Sequence, residues 1–156
     1  MEAESDPRLA FVYAEAVRGL TQQQSLVDGM NARVGSLIFA AAFSNSLLGN
    51  RALSDGLGAF EWIAIATLFA IGGLVVFMIW PFTQYKFRFT PEMLLGEYVE
   101  GDRPMSLSAM HRALALRIED DMNGNWAIFQ KLRTTLQIAL VLLLLNLAAW
   151  MFAIAW

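Results

Sequence analysis

The sequence contains no cysteine and a single histidine, which removes several classes of protein from consideration. Without cysteine, the chain can form neither a disulfide nor a thiolate metal site. One imidazole, that of His111, leaves little basis for a histidine-based zinc cluster or a Ser-His-Asp triad. The sequence also has no glycine-rich phosphate loop and no pair of acids within an apolar stretch. We therefore expect no enzyme, no metal and no other cofactor.

Charged residues are scarce as well, and they are unevenly distributed. They make up 16% of the 156 residues, whereas 57% are hydrophobic and the mean hydropathy is +0.48. Soluble proteins are roughly 45–50% apolar, and their cores do not require apolar residues to cluster in blocks, as they do here. The composition predicts an integral membrane protein. A net charge of -3 gives no sign of a nucleic-acid-binding surface.

Three blocks without charge predict three transmembrane helices, at 34–49, 62–80 and 136–156. A helix needs about 20 apolar residues to cross a bilayer core of about 30 Å. The second block has Trp62 and Trp80 at its ends, where interfacial tryptophans are expected. Because the N-terminal segment carries charges throughout, we expect no cleavable signal peptide.

Two amphipathic stretches lead into the first and third spans. In 7–33 and from 106 to 135, apolar residues recur at the spacing of one helix face. Asp6-Pro7 and Ser106 are suitable helix starts. The two helices are predicted to pack against each other. Gln23, within the first apolar stripe, is predicted to form a polar layer in which its amide either sets the register or contacts a ligand.

These elements predict an all-α integral membrane protein with three transmembrane helices and long cytosolic helical extensions forming a stalk. We expect a single membrane domain over 1–156, with a cytosolic helix at 7–33 and a cytosolic region at 83–135 that contains the long helix from 106. Lysine and arginine are concentrated before the first span and in 83–135, whereas the loop between the first two spans has only Arg51. The positive-inside rule then places the N-terminus in the cytoplasm and the C-terminus outside.

Several basic residues lie close to the predicted cytoplasmic membrane face. They either anchor the protein to anionic lipid headgroups or bind an anionic ligand or partner. This collar consists of Arg33, Lys86, Arg88, Lys131 and Arg133.

The first span is unusually polar. Ser36, Ala40 and Ser44 form a row of small residues, which allows membrane helices to approach closely. Such a helix either packs inside a bundle or lines a pathway. In the second case the candidate pore-lining residues are Ser36, Ser44, Asn45, Ser46 and, in the third span, Asn146.

Asn123-Gly124-Asn125 interrupts the final helix with residues of low helix propensity. Glycine in a helix interior costs about 1 kcal/mol relative to alanine. The three residues therefore predict either a kink or close helix crossing, or a hinge between the cytosolic arm and the span that follows.

This layout resembles a family of small bacterial membrane proteins. A helix containing Leu26–Arg33 runs directly into a span of small residues, a second span follows, and a long amphipathic helix comes next. The closest stretches are Gln24–Ala42 and Leu114–Leu145, the latter including Asn125 and Lys131. They are similar to the Pycsar transmembrane effector and the related SLATT domain of anti-phage systems.

The resemblance implies a function. Such effectors are thought to oligomerise and permeabilise the bacterial inner membrane when a companion enzyme makes a nucleotide signal, in an abortive infection response. The expected partners are then the lipid bilayer, further copies of the chain, and a nucleotide signal or a nucleotide-synthesising companion. The alternative is a non-enzymatic scaffold or anchor subunit that holds a cytosolic partner at the membrane.

Overall fold

A computed structural model of the chain describes residues 6–52, 57–80, 90–100 and 105–155. All regular secondary structure in these residues is helical, so the predicted all-α class is confirmed. The helices are α1 (Pro7–Ala52), α2 (Ala59–Ile79), α3 (Pro91–Leu94) and α4 (Leu107–Ala155), and a π-helical turn over Leu95–Val99 follows α3 directly.

Three of these helices, α1, α2 and α4, are long and apolar enough to cross a membrane, as the sequence predicted. Helices α1 and α4 contain 46 and 49 residues, more than twice the number that a single crossing needs. The amphipathic stretches and the apolar blocks therefore belong to the same two uninterrupted helices.

The predicted helix starts are also observed. The Asp6 carboxylate accepts a hydrogen bond from the Arg8 N–H (2.9 Å), and Pro7 occupies the first helical position. At the start of α4 the Ser106 hydroxyl accepts a hydrogen bond from the Ala109 N–H (3.3 Å). Both contacts satisfy backbone donors that have no partner within a helix.

The described residues form two compact units, each of which contains segments of α1 and α4. The first, here called the charged unit, comprises 6–27, 90–100 and 105–128. The second, here called the apolar unit, comprises 28–52, 57–80 and 129–155.

Within the charged unit, α1 and α4 pack against each other as predicted, and they run parallel. Contacts occur in the same order along both helices: Asp6 with Ser108, Tyr13 with His111, Gly19 with Met122 and Gln23 with Asn125. Buried Leu114 and Ile118 form the core on the α4 side. Glu97 of the π-helical turn forms an ion pair with Arg117 of α4 (3.2 Å).

In the apolar unit, α1 and α4 are again parallel, and α2 runs antiparallel to both. The C-terminal ends of α1 and α4 meet the beginning of α2 in a buried cluster of Ala52, Ala64, Ala149 and Trp150. Gly49 belongs to this contact, because a Cβ there would lie 3.4 Å from Cζ2 of the Trp150 indole. Small residues thus bring the three helices close together, as is usual where helices pack in lipid.

The outer surface of the apolar unit is apolar as well. Large hydrophobic side chains on all three helices are exposed, which water disfavours and lipid does not. They include Phe39, Phe43, Phe69, Val76, Leu144 and Met151.

Two leucines of α4 test the packing of the charged unit. Leu114 is 3% exposed and Leu116 is 58% exposed. We expect Leu114→Ala to lower the free energy of unfolding by about 3 kcal/mol, because it removes buried methyl groups and leaves a cavity. Leu116→Ala is the matched control and should cost less than about 0.5 kcal/mol. Unfolding followed by circular dichroism in detergent micelles would measure both, and equal losses would contradict this packing.

Candidate functional site

Two asparagines meet between the helices of the apolar unit. Asn45 of α1 donates a hydrogen bond from Nδ2 to Oδ1 of Asn146 of α4 (2.9 Å). Asn146 is fully buried, with 0% of its surface exposed. An amide at such a position is costly unless its donors and acceptor all find partners.

The partners of Asn146 come from both neighbouring helices, and a further bond from Trp150 of α4 reaches Asn45. Nδ2 of Asn146 donates to the Ala64 carbonyl (2.7 Å) and to Oγ1 of Thr67 (3.2 Å), both in α2. Nε1 of Trp150 donates to Oδ1 of Asn45 (2.7 Å). We call Asn45, Thr67, Asn146 and Trp150 the asparagine cluster.

Helical spacing explains how the cluster forms. Asn146 and Trp150 are four residues apart and so share one face of α4. Asn45 and Gly49 have the same spacing on α1, and the glycine leaves room for the indole. Since α1 and α4 are parallel, Asn45 lies beside Asn146, and Gly49 lies beside Trp150.

The predicted lining serines do not belong to the cluster. Ser44 donates to carbonyls of its own helix, those of Ala40 (2.7 Å) and Ala41 (3.2 Å). Ser36 likewise donates to the Ala32 carbonyl (3.2 Å) and is exposed, and Ser46 is exposed too. Of the five candidate residues, the structure therefore brings Asn45 and Asn146 together. A pore-lining role stays a prediction for all five, and for buried Asn146 it requires the three helices to separate.

Asn123-Gly124-Asn125 lies within α4, which continues through these residues as an α-helix. Asn123 and Gly124 are exposed. A Cβ at Gly124 would meet no atom of the described residues within 4 Å, so a close helix crossing does not explain this glycine. A hinge at this position stays a prediction.

Asn125 instead belongs to a polar layer in the charged unit. It is 2% exposed, and its Nδ2 donates to Oε1 of Gln23 (3.3 Å). Nε2 of Gln23 donates to the Met122 carbonyl (2.9 Å). The polar layer predicted at Gln23 is thus confirmed, with the amide bonded between helices.

Three members of the predicted basic collar lie in described parts of the chain. Arg33, Lys131 and Arg133 are all exposed. Arg33 and Arg133 face a common groove, whereas Lys131 is not part of its lining. Lys86 and Arg88 lie outside the described residues.

Sequence reasoning did not identify Thr67 and Trp150 as members of a site. Thr67 is the only hydroxyl-bearing residue of α2, so its isolation in an apolar helix was a usable signal. Trp150 gave no such signal, because tryptophan is common near the ends of membrane spans, where its side chain prefers the membrane–water interface whether or not it belongs to a site.

A double-mutant cycle tests the asparagine pair. We expect Asn45→Ala and Asn146→Ala to be coupled by about 1 kcal/mol in unfolding free energy, within the range measured for hydrogen bonds between membrane helices. Ser44→Ala with Asn146→Ala is the control pair, since the Ser44 hydroxyl bonds within its own helix. The effects of the two control substitutions on the unfolding free energy should be additive. Unfolding titrations in mixed micelles would give the energies, and additivity of the asparagine pair would contradict the direct bond.

Comparison with known proteins assigns no family to this geometry. No family model matches the chain, and no curated protein or solved structure matches it. In the residues that the structure describes, no group of three histidine, cysteine, aspartate or glutamate side chains is placed to hold a metal ion. The asparagine cluster and the surfaces of the two units are therefore the features of the molecule that bear on its function.

Proposed function

We propose that the protein is a membrane effector of a bacterial anti-phage system, which oligomerises and permeabilises the inner membrane. A nucleotide second messenger or a partner protein controls its opening. The observation that supports this proposal is the asparagine cluster, a set of hydrogen-bonded polar side chains between the three apolar helices in which Asn146 and Trp150 are buried. A helix that only anchors a protein in lipid has no need of such residues.

Asparagine suits a protein with a closed and an open state. In the closed state, the side-chain amides of Asn45 and Asn146 satisfy each other and the Ala64 carbonyl. In an open state the same groups can exchange these partners for water, because polar groups at membrane depth are tolerated where they line a water-filled cavity. Leucine at both positions removes the groups that would bind water in the open state.

Assembly supplies the rest of the proposed path. Three helices whose side chains fill the space between them enclose no channel, so a water-filled path needs several copies of the chain. Exposed Ser36 and Ser46 of α1 then line the surface between copies. Hydroxyls that already donate to carbonyls of their own helix, as Ser36 does, still offer oxygen acceptors to water.

The charged unit is the part we propose to receive the signal. It contains a groove of about 290 Å³ between α1 and α4, lined by Leu9, Val12 and Leu116 among others. Glu15, Arg112 and Glu119 also line it, so an occupant meets both apolar and charged groups. In the proposed orientation this unit is cytoplasmic, and Asn123-Gly124-Asn125 provides the hinge.

The same groove favours the second candidate function. In that case the protein is a non-enzymatic scaffold whose charged unit holds a cytosolic partner at the membrane through the apolar part of the groove. The asparagine cluster then serves only to fix the packing of the spans. This scaffold conducts nothing, and the difference is measurable.

Dye release from liposomes distinguishes the two candidates. We expect the purified protein to release dye when one nucleotide of a panel is present. Asn45→Leu combined with Asn146→Leu should reduce release to the rate of protein-free liposomes. The double substitution also removes the acceptor of the Trp150 indole N–H, so circular dichroism and unfolding of the variant must establish that it remains folded. Ala42→Leu, on the exposed face of α1, is the control and should release dye normally.

Assembly must be measured on the same samples, by cross-linking. Loss of release with unchanged oligomers supports the proposal. Unchanged release from the double leucine variant would exclude these amides from the path. If the original protein releases no dye with any nucleotide, the scaffold becomes the better account.

The orientation is testable because the chain has no cysteine of its own. We expect Leu57→Cys to react with a membrane-impermeant maleimide on intact spheroplasts, and Met105→Cys to react only after the membrane is opened. Both positions are exposed, and Phe69→Cys within α2 is the control that should stay unlabelled in either preparation. The opposite labelling pattern would reverse the topology predicted from the positive-inside rule.

A further inference from the structure

A second groove, in the apolar unit, has a polar end and an apolar end. It has a volume of about 580 Å³ and lies between α1 and α4. Arg33 and Arg133 line one end of it, and Leu140 and Leu143 line the other. Ser36 and Gln137 lie between them along the two helices.

The parallel register of the helices produces this arrangement. From Arg133 to Leu143 the chain advances ten residues, or about 15 Å along an α-helix. On α1, Arg33 is likewise followed by Ser36 and then Ala40. Each helix therefore contributes a cation, then a hydrogen-bonding group, then hydrocarbon, in the same direction.

The arginines lie where a headgroup is expected. Arg33 is followed by no charged residue until Arg51, and Arg133 by none as far as Ala155. They are the last cations before the apolar stretches of α1 and α4, so in a bilayer they lie at the depth of the lipid phosphates. The groove has no acidic residue in its lining.

The two guanidinium groups are also available to a ligand. Within the residues that the structure describes, neither Arg33 nor Arg133 forms an ion pair. Guanidinium binds phosphate oxygens through two parallel N–H donors, which makes arginine well suited to this anion. Two such groups at one end of a groove favour a ligand that carries a net negative charge there.

We infer that this groove binds one anionic phospholipid, with its phosphate between Arg33 and Arg133 and one acyl chain along Leu140 and Leu143. A soluble nucleotide would satisfy the arginines but would leave the apolar end facing water. A phospholipid satisfies both ends at once. The inference does not rest on the proposed function, because lipid binding can be measured without any release of dye. A lipid in this groove would cover Ser36 and leave Ser46 as the exposed serine of α1 available to a path between copies.

Native mass spectrometry of the full-length protein in detergent micelles can test the inference. We expect one phosphatidylglycerol to remain bound per chain. Phosphatidylcholine, which has no net charge, and glycerol 3-phosphate, which has no acyl chain, should each bind at least about tenfold more weakly, since each lacks one of the two interactions.

The chain offers a matched control for the charge. Arg33→Gln and Arg133→Gln should each weaken phosphatidylglycerol binding about tenfold, which is the effect of losing one charge-assisted contact. Lys131→Gln removes the same charge two residues away from Arg133 but outside the groove, and should change binding less than about twofold. Ala40→Phe should block the acyl chain while leaving both arginines in place. Circular dichroism establishes that each variant remains helical.

Three results would overturn the inference. Equal weakening by Lys131→Gln and Arg133→Gln would mean diffuse attraction to anionic lipid and no defined site. Binding of glycerol 3-phosphate or ATP as tightly as phosphatidylglycerol would identify a site for soluble anions. If Ala40→Phe changed the oligomeric state but not lipid binding, the groove would be an interface between copies of the chain.

Discussion

The parallel pairing of α1 and α4 is the constraint on which the other features depend. In both units, residues of the two helices that contact each other are separated by about a hundred positions in sequence. The separation is 102 for Gln23 and Asn125 in the charged unit and 101 for Asn45 and Asn146 in the apolar unit.

This parallel register determines which side chains of α1 and α4 meet in the apolar unit. It places Asn45 beside Asn146, the Trp150 indole against Gly49, and Arg33 level with Arg133. A shift of one residue would rotate each of these side chains by about 100° around its helix axis.

The two units keep this register by different means. In the charged unit, burial of Leu114 and Ile118 provides hydrophobic stabilisation wherever the unit is surrounded by water, and the amide contact of Gln23 with Asn125 selects one alignment. Lipid removes that hydrophobic driving force between helices, because acyl chains are as apolar as leucine. In the apolar unit, close packing of small residues and the hydrogen bonds of the asparagine cluster must therefore determine the alignment.

Local features of the chain could be predicted from the sequence. The apolar blocks predicted the three long helices, Asp6 and Ser106 predicted the starts of α1 and α4, and the apolar stripe around Gln23 predicted its position between helices. These predictions succeed because helix periodicity and capping depend on residues only a few positions apart.

The composition of the site could not be predicted in the same way. The partner of Asn45 lies 101 residues away in the sequence. No local pattern distinguishes Asn45 from its neighbours Ser44 and Ser46 as a residue that bonds to another helix. The serines can bond to their own helix, whereas Asn146 uses partners on both neighbouring helices. That difference arises from the parallel register, which periodicity alone does not specify. The low helix propensity of Asn123 and Gly124 likewise gave no visible break in α4, since packing of the surrounding turns outweighs the cost of about 1 kcal/mol.

The long sequence separation of the asparagine pair also affects how the protein is made. Asn45 is synthesised 101 residues before Asn146, an interval of roughly 5 to 20 seconds at ordinary translation rates. A first helix that crosses the membrane would enter the bilayer during that interval without its partner. Nδ2 of Asn45 already has one acceptor within α1, the Ala41 carbonyl at 2.7 Å. The nascent helix can therefore keep this amide partly satisfied in lipid until α4 arrives to complete the cluster.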